Sequence, residues 1–521
     1  MKICLINPPN FFSKPIGYEW YPNIFTLPYL GLGYITSSIK KSGYDVTHID
    51  CPLQNLDEKY IFQFVEENQF DIIGLSCFYY NLLSVTKIVR YINAHCKNTF
   101  IFLGGFMPTL DYSTLFSMRM KFDCCIVGAG EYTAVELIKK LEMHEDWTKI
   151  EGISYIENGF VKNNKRTTCI HDLDALPFPY RCTSPYQTKH VSVLSSRGCY
   201  GDCTFCGEKE YALENASPYI RYRSVNNLIE EISLLWNEYK FRKLRFNDSN
   251  FMDGSQFRKK WLKEFAEKVE GLPYKFLYSC NARANDIIAH EEILPLLYKS
   301  GLEAVFLGIE SFNQRQLDLY SKRTTVFQNI SALEILKRNG IKVEIGLIFI
   351  EPFVTVEEFE ENLVCLENSA FFDIVDITQS FISSACTLIS IPGTRMHDII
   401  NRHGVATKKN NLGYFFVDKR MNIIHDTLVE WENETRPYAD KRYLIYKAKE
   451  TGQAQLAEKL SCWYKKMIKA DFLFLKKLSK IIRERQDLEE AKREIIEDTK
   501  NQFKKISDEV GLFSIDQNIT M

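Results

Sequence analysis

Three cysteines have a spacing that supports iron-sulfur chemistry. Cys199, Cys203 and Cys206 form the pattern C-x-x-x-C-x-x-C directly after a short apolar run. Three thiolates on one tight loop can bind three irons of a 4Fe-4S cluster and leave the fourth iron without a protein ligand. Catalytic metal sites keep such an open position for a substrate or cofactor, whereas closed structural sites do not. The spacing therefore predicts a catalytic cluster.

A disulfide and a zinc site are the competing uses of these cysteines. A disulfide framework needs an even set of cysteines, and a zinc site needs a fourth ligand nearby. His190 is the only histidine close to the loop in sequence, and the chain holds 15 cysteines, an odd number. Many of them lie in apolar runs, which indicates a reducing compartment. The iron-sulfur interpretation is favoured over both alternatives.

Length and composition restrict the class of protein. The chain has 521 residues, enough for two or three domains, and is 45% hydrophobic and 25% charged. A formal net charge of −2 gives no electrostatic reason to expect a nucleic acid or a membrane partner. No apolar run is long enough to span a bilayer, and the start of the chain is too short for a signal peptide. A cytoplasmic protein is expected.

Residues 1–145 alternate predicted strands and helices, with glycines where the strands end. Gly104 and Gly105 follow one such strand, and the segment from Gly128 to Glu131 follows another. This pattern is typical of a doubly wound, Rossmann-like α/β domain with a parallel sheet. Ligands of such sheets bind in the crevice at the carboxyl ends of the strands.

A proline-punctuated linker, residues 146–190, is predicted before a second α/β domain, residues 191–396. Six β-α units predict a partial TIM-type (β/α)6 barrel, with its chemistry at the carboxyl ends of the strands. The predicted strands are Val191 to Ser195, Lys243 to Asn247, Phe276 to Cys280, Ala304 to Ile309, Val343 to Ile350 and Ile374 to Thr378. Residues 397–521 predict a C-terminal domain of amphipathic helices that covers the barrel mouth or binds substrate.

Polar side chains follow the predicted barrel strands and are expected to converge on the mouth. They are Asp248, Asn250, Arg283, Glu310, Ser311 and Glu351. For each of the first five, the alternative is a cap on the following helix. A carboxylate at a barrel mouth is costly unless it is paired or used. Glu351 is therefore a candidate substrate contact or proton acceptor, and the alternative is a solvated loop charge.

The cysteine loop resembles the signature C-x-x-x-C-x-aromatic-C of the radical S-adenosylmethionine superfamily, with Phe205 as the aromatic residue. The resemblance implies that the open iron binds the amino and carboxylate groups of S-adenosylmethionine. One electron from the cluster then cleaves this cosubstrate to methionine and a 5′-deoxyadenosyl radical, which abstracts hydrogen from a substrate. It also implies an electron donor such as flavodoxin or ferredoxin.

Residues 1–145 resemble the cobalamin-binding domain that precedes many radical enzymes. The resemblance implies cobalamin contacts at Ser76, Gly104, Gly105 and Glu131. The chain departs from the family in lacking the D-x-H-x-x-G motif, which supplies an axial histidine, and in carrying Phe106 to Thr109 where the family usually has Pro-His. The alternative is a vestigial sheet kept for packing.

The barrel resembles the same radical enzymes, and the resemblance implies roles for its polar residues. Asp248 and Asn250 are expected near the methionyl amine, and Arg283 near the methionyl carboxylate. Glu310 and Ser311 are expected at the ribose hydroxyls. Glu351 stands where relatives carry a glycine-rich turn.

The favoured activity is cobalamin-dependent methyl transfer to an unactivated carbon, with one S-adenosylmethionine methylating cobalamin and a second generating the radical. A non-methylating radical enzyme is the alternative, a cyclase, epimerase or rearrangement enzyme acting on a small molecule or a ribosomal peptide. A third possibility is an iron-sulfur redox or sensing protein without radical chemistry.

Overall fold

A mixed β-sheet and a parallel β-sheet follow one another along the chain, and a helical region follows both. The computed structural model describes residues 1–9, 27–118, 120–182, 190–217, 220–405, 414–484, 488–512 and 515. Among the described residues, each helix is either too short or too polar to cross a bilayer.

The first sheet has seven strands in the order β2-β1-β3-β4-β5-β6-β7. They are β1 (Ile3–Asn7), β2 (Val46–Asp50), β3 (Ile72–Ser76), β4 (Phe100–Gly104), β5 (Cys124–Ile126), β6 (Ile153–Glu157) and β7 (Phe160–Asn163). Six helices accompany them: α1 (Leu30–Lys41), α2 (Cys51–Gln54), α3 (Glu58–Asn68), α4 (Leu82–His95), α5 (Phe106–Ser117) and α6 (Glu131–Glu142). Strands β1 and β3 are buried along their whole length, as expected for a parallel sheet covered on both faces.

The last two strands of this sheet lie in the segment predicted to be a linker. Strand β6 pairs antiparallel with β5, and β7 pairs antiparallel with β6. A hairpin therefore extends the first sheet beyond residue 145, and the connection to the second sheet begins only after residue 163.

The second sheet has five parallel strands in the order β14-β13-β12-β11-β8. The strands of this region are β8 (His190–Val193), β9 (Ser196–Arg197), β10 (Arg221–Tyr222), β11 (Lys243–Phe246), β12 (Leu277–Arg283), β13 (Leu302–Glu310) and β14 (Lys342–Leu347), with β9 and β10 forming a separate antiparallel pair. Its helices are α7 (Glu208–Glu214), α8 (Val225–Tyr239), α9 (Gln256–Glu270), α10 (Ala284–Ala289), α11 (Leu294–Lys299), α12 (Gln314–Leu319), α13 (Val326–Arg338) and α14 (Val356–Asn368).

The predicted sixth barrel strand is reduced to a single bridge between Val343 and Val375. The side-chain oxygen of Gln379 accepts a hydrogen bond from the backbone N–H of Ile345 at 2.7 Å. A side chain thus takes the place that a strand carbonyl would occupy next to β14. The chain continues there as short helices, α15 (Phe371–Ile374), α16 (Ile382–Ala385) and α17 (Arg395–Arg402).

The C-terminal region is helical, as predicted, and packs into the same hydrophobic core as the barrel. Its helices are α18 (Lys419–Asp440), α19 (Tyr443–Glu450), α20 (Ala454–Glu484) and α21 (Leu488–Val510). Tyr446 of α19 lines a cavity together with His190 and Lys243, which begin β8 and β11. Helix α19 therefore lies at the amino-terminal end of the barrel, opposite the mouth.

Candidate functional site

The cysteine loop lies between β9 and α7 and is tied to the rest of the barrel by backbone hydrogen bonds. The N–H of Thr204 donates to the carbonyl of Tyr320 at 2.9 Å, and the N–H of Met396 donates to the carbonyl of Thr204 at 2.8 Å. Phe205 packs edge-on against the ring of Tyr320, with centroids 5.6 Å apart. These contacts give the three thiols a fixed position above the strand ends.

Hydrogen-bond donors lie close to two of the three thiols. The N–H of Gly201 lies 3.3 Å from Sγ of Cys199, and the guanidinium of Arg283 lies 3.3 Å from Sγ of Cys203. Burial raises the pKa of the Cys199 thiol, and burial raises that of Cys206 to about 12. Iron coordination deprotonates such thiols outright, and the adjacent donors stabilise the resulting negative charge.

Glu310 lies at the end of β13, where the pairing with β14 shifts register between Gly308 and Glu310. Its backbone has a φ of 61°, which turns the side chain toward Lys322. The ammonium of Lys322 donates to Oε1 of Glu310 at 2.7 Å, and both residues are buried. A Cβ on Gly308 would lie 2.7 Å from that ammonium and 2.8 Å from Oε1, so glycine leaves room for the ion pair.

Asn250 belongs to a buried polar chain that sequence reasoning missed. Its Nδ2 donates to Oδ2 of Asp286 at 2.7 Å, and the hydroxyl of Tyr200 donates to Oδ1 of Asp286 at 2.6 Å. Burial raises the pKa of Asp286 to about 6. Tyr200 is part of the cysteine loop, so Asp286 connects that loop to the residues after β11. The position of Asp286 three residues after Arg283 was the available signal in the sequence.

Three buried polar atoms of this region have no hydrogen-bond partner in the described structure, Oδ1 of Asn250, Oδ1 of Asn285 and Nε of Arg283. Buried polar atoms of proteins are nearly always paired. An unpaired acceptor and an unpaired donor beside the cysteine loop fit a bound molecule that carries both an ammonium and a carboxylate.

Asp248 does not face the mouth as predicted. Its side chain is 0% exposed. Its carboxylate accepts hydrogen bonds from the backbone N–H of Ser195 at 3.0 Å and from the hydroxyls of Ser195 and Ser196. The side chain turns inward because these donors precede the cysteine loop and need an acceptor. The structure therefore gives Asp248 the role of holding the loop.

Ser311 and Glu351 also differ from the sequence prediction, and both are 0% exposed. The hydroxyl of Ser311 is hydrogen-bonded to Oε1 of Gln316 at 2.7 Å. Oε1 of Glu351 accepts from Arg315 at 2.7 Å, and Oε2 accepts from the N–H of Phe353 at 2.7 Å. Glu351 is a paired buried carboxylate, and both oxygens that would have contacted a substrate are engaged within the protein.

The four residues predicted on the first sheet come together in one cavity, which also reaches the barrel. Ser76, Gly104, Gly105 and Glu131 line it from the carboxyl edge of the first sheet. The barrel side contributes Arg197, Gly198, Tyr211, Asn247 and Ser249. The guanidinium of Arg197 and the carboxylate of Glu131 meet at 2.7 Å and join the two domains across this cavity. Arg197 directly precedes the cysteine loop and was not predicted.

The first-sheet edge has the shape expected of a cradle for a flat ligand. No heavy atom lies within 4 Å of the position that a Cβ on Gly104 would take. A side chain there would extend into open space beside the cavity. The described residues that line the cavity include no histidine, which agrees with the absence of the D-x-H-x-x-G motif. The edge fits cobalamin.

Family models match both α/β regions. The B12 binding domain matches residues 25–138, and the radical SAM superfamily model matches residues 193–364. Residues 193–364 are therefore a radical SAM domain, and residues 25–138 are a B12-binding domain. The cofactors that these two domains imply are a 4Fe-4S cluster, S-adenosylmethionine and cobalamin.

Two curated proteins and one solved structure are similar to this chain over most of its length. An uncharacterized methyltransferase of Pyrococcus horikoshii is 28% identical, over 82% of this chain and 89% of its own length. An anaerobic magnesium-protoporphyrin IX monomethyl ester cyclase of Rubrivivax gelatinosus is 26% identical, over 70% of this chain and 65% of its own length. The structure of the radical enzyme OxsB with aqua-cobalamin and S-adenosylmethionine bound covers 100% of this chain and 80% of its own, with 19% identity and a TM-score of 0.74.

Proposed function

We propose that this protein is a cobalamin-dependent radical methyltransferase that acts on an unactivated carbon of a small molecule or peptide. The observation that carries the proposal is the shared cavity, because the glycine edge of the first sheet and the loop before the cluster cysteines line it together. A methyl group bound at one edge and a substrate radical formed near the other would then be neighbours. The name of the Pyrococcus relative supports methyl transfer.

When bound, the cluster supplies one electron for cleavage of S-adenosylmethionine, and cobalamin supplies a carrier for a methyl group. Cys199, Cys203 and Cys206 hold the cluster, and Ser76, Gly104 and Gly105 form the cobalamin cradle. An electron donor such as flavodoxin or ferredoxin reduces the cluster.

The residues around the cysteine loop orient S-adenosylmethionine. Oδ1 of Asn250 accepts from its ammonium, and Nε of Arg283 donates to its carboxylate, since both atoms lack partners within the described structure. Glu310 accepts from the ribose hydroxyls, and Lys322 holds its carboxylate in position through their ion pair. Asp286 fixes Asn250 and Tyr200 in place through hydrogen bonds of 2.7 and 2.6 Å.

The second candidate is a radical enzyme that does not transfer methyl groups, such as a cyclase. The name of the Rubrivivax relative favours it. The two candidates differ in what S-adenosylmethionine becomes. Methyl transfer converts one molecule to S-adenosylhomocysteine, whereas radical formation alone yields 5′-deoxyadenosine and methionine.

The test is an anaerobic assay of the reconstituted protein with dithionite and S-adenosylmethionine, with and without bound cobalamin. We expect 5′-deoxyadenosine in both samples and S-adenosylhomocysteine only in the cobalamin-loaded one. Formation of 5′-deoxyadenosine without S-adenosylhomocysteine in the loaded protein would favour the second candidate. Absence of both products would contradict radical chemistry altogether.

A further inference from the structure

A second group of metal-binding side chains lies away from the cysteine loop. His48 and Asp50 are two residues apart on β2, and Cys182 comes from the connection between the two sheets. One ligand atom of each lies within 4.8 Å of the other two. Asp50 is 1% exposed and Cys182 is 8% exposed. A half-buried histidine, a buried carboxylate and a buried thiol form a donor set that zinc binds.

The hydrogen bonds of His48 leave its second ring nitrogen available to a metal. Nδ1 of His48 lies 2.7 Å from the hydroxyl oxygen of Thr36, and that hydroxyl lies 2.9 Å from the carbonyl of Leu32. The hydroxyl has one proton, and the carbonyl can only accept it. Nδ1 therefore donates to Thr36, and Nε2 carries the lone pair. Metal-binding histidines are oriented in this way by a partner on the other nitrogen.

Asp50 is oriented in the same manner. Oδ1 accepts from the side-chain amide of Asn7 at 2.9 Å, and Oδ2 accepts from the backbone N–H of Tyr29 at 2.9 Å. The carboxylate also accepts from the backbone N–H of Leu53, which leaves about one of its roughly four acceptor sites for a metal. Carboxylates that bind metals are held by such hydrogen bonds. Two of the three ligands thus possess the outer partners typical of a metal site.

We propose that His48, Asp50 and Cys182 bind a zinc ion, with a water molecule as the fourth ligand. Zn²⁺ binds Nε2, a carboxylate oxygen and the Cys182 sulfur, and the thiol proton leaves to solvent. The thiolate and the carboxylate together balance the two charges of the ion. The ion ties the connection before the barrel to strand β2. It also braces Tyr29, which lines the cavity between the domains.

The proposal is independent of the proposed function and is tested on the full chain with its cluster reconstituted. The protein is incubated with zinc sulfate, desalted, and its zinc content is measured by inductively coupled plasma mass spectrometry. We expect about one zinc per chain in the wild type, and at least about tenfold less in Cys182→Ser and His48→Gln. Cys169→Ser is the matched control, because Cys169 lies 3.5 Å from a ring nitrogen of His171 yet belongs to no three-ligand group among the described residues.

Zinc K-edge absorption separates this site from the cluster loop in the same sample. We expect one sulfur at about 2.3 Å, with nitrogen and oxygen as the remaining ligands. A wild type that retains no zinc, or zinc bound by three sulfurs, would contradict the proposal. Equal retention by wild type and Cys182→Ser would also contradict it.

Thermal unfolding is a second test of zinc binding, and it also shows whether each ligand variant is folded. Zinc should raise the Tm of the wild type and of Cys169→Ser, and leave the Tm of Cys182→Ser unchanged.

Thr36→Val leaves all three ligands in place and removes only the acceptor for His48. We expect it to weaken zinc binding by about 10- to 100-fold in a chelator competition. An unchanged affinity would show that Thr36 does not orient a zinc ligand.

Discussion

The two sheets present different carboxyl edges. The edge of the first sheet, the glycine edge, places Gly104, Gly105, Gly128 and Gly130 beside the cavity between the domains. The edge of the barrel, the charged edge, carries buried charges that are paired with one another, such as Glu310 with Lys322 at 2.7 Å. An edge of glycines admits a large flat ligand, and a charged edge orients a small zwitterionic one. The difference agrees with the proposal that cobalamin binds at the first edge and S-adenosylmethionine at the second.

The largest expected effect is a complete loss of the cluster without a loss of cobalamin. Replacing Cys199, Cys203 or Cys206 with alanine should abolish the cluster and reduce 5′-deoxyadenosine formation to background, because no fourth protein ligand compensates. Cobalamin retention should remain at the wild-type level, since its cradle lies on the other sheet. Iron content, product analysis and corrinoid absorbance measure the three outcomes. Cys169→Ala is the control, and wild-type cleavage by any cluster variant would refute the assignment.

The charged edge is tested by removing one member of its ion pair. Lys322→Met should lower the free energy of unfolding by about 3 to 5 kcal/mol, because it leaves Glu310 buried without its partner. It should also weaken S-adenosylmethionine binding and spare cobalamin. Urea unfolding and equilibrium binding measure these effects. Lys299→Met, which breaks an exposed pair with Glu270, is the control, and an equally small loss in both variants would contradict the account.

The polar chain behind the charged edge predicts a pH dependence. Burial raises the pKa of Asp286 from its usual 3.8 to about 6, so the folded protein holds a proton that the unfolded chain releases. Stability from this group is fully present below pH 4 and is lost as the pH rises through 6. The loss amounts to roughly 3 kcal/mol.

Asp286→Asn should remove that slope. Urea unfolding of wild type and variant between pH 4 and 8 measures it, and Asp45→Asn, an exposed aspartate, is the control. Parallel pH profiles for wild type and Asp286→Asn would show that Asp286 does not titrate in this range.

The glycine edge of the first sheet is tested by adding a side chain at Gly104. Gly104→Val should place methyl groups beside the cavity at a cost of about 1 to 3 kcal/mol to ligand binding, or about 5- to 100-fold in cobalamin affinity. The cluster and 5′-deoxyadenosine formation should be unchanged. Gly271→Val, at the end of α9 where a Cβ meets only ordinary contacts, is the control. Unchanged cobalamin affinity in Gly104→Val would remove this edge from the binding site.

The sequence predicted strand positions well because apolar runs and glycines mark where a parallel strand begins and ends. It did not predict the direction of side chains after those strands. Asp248 and Asn250 are two residues apart, yet the first turns toward Ser195 and the second toward Asp286. That choice depends on hydrogen-bond partners far away in the chain. The absence of the predicted sixth strand has a similar cause. The side chain of Gln379 accepts the hydrogen bond from the N–H of Ile345 that a strand carbonyl would accept, and this contact exists only in the folded chain.

The central claim is that the cobalamin and cluster sites share one cavity, and magnetic coupling tests it most directly. The protein is loaded with cobalamin, reduced to paramagnetic cobalt(II) and reduced cluster, and studied by electron paramagnetic resonance. We predict dipolar broadening and faster relaxation of the cobalt signal, both lost in Cys203→Ala. A cobalt signal identical in wild type and Cys203→Ala, with both centres present in the wild type, would place the two cofactors too far apart and contradict the account.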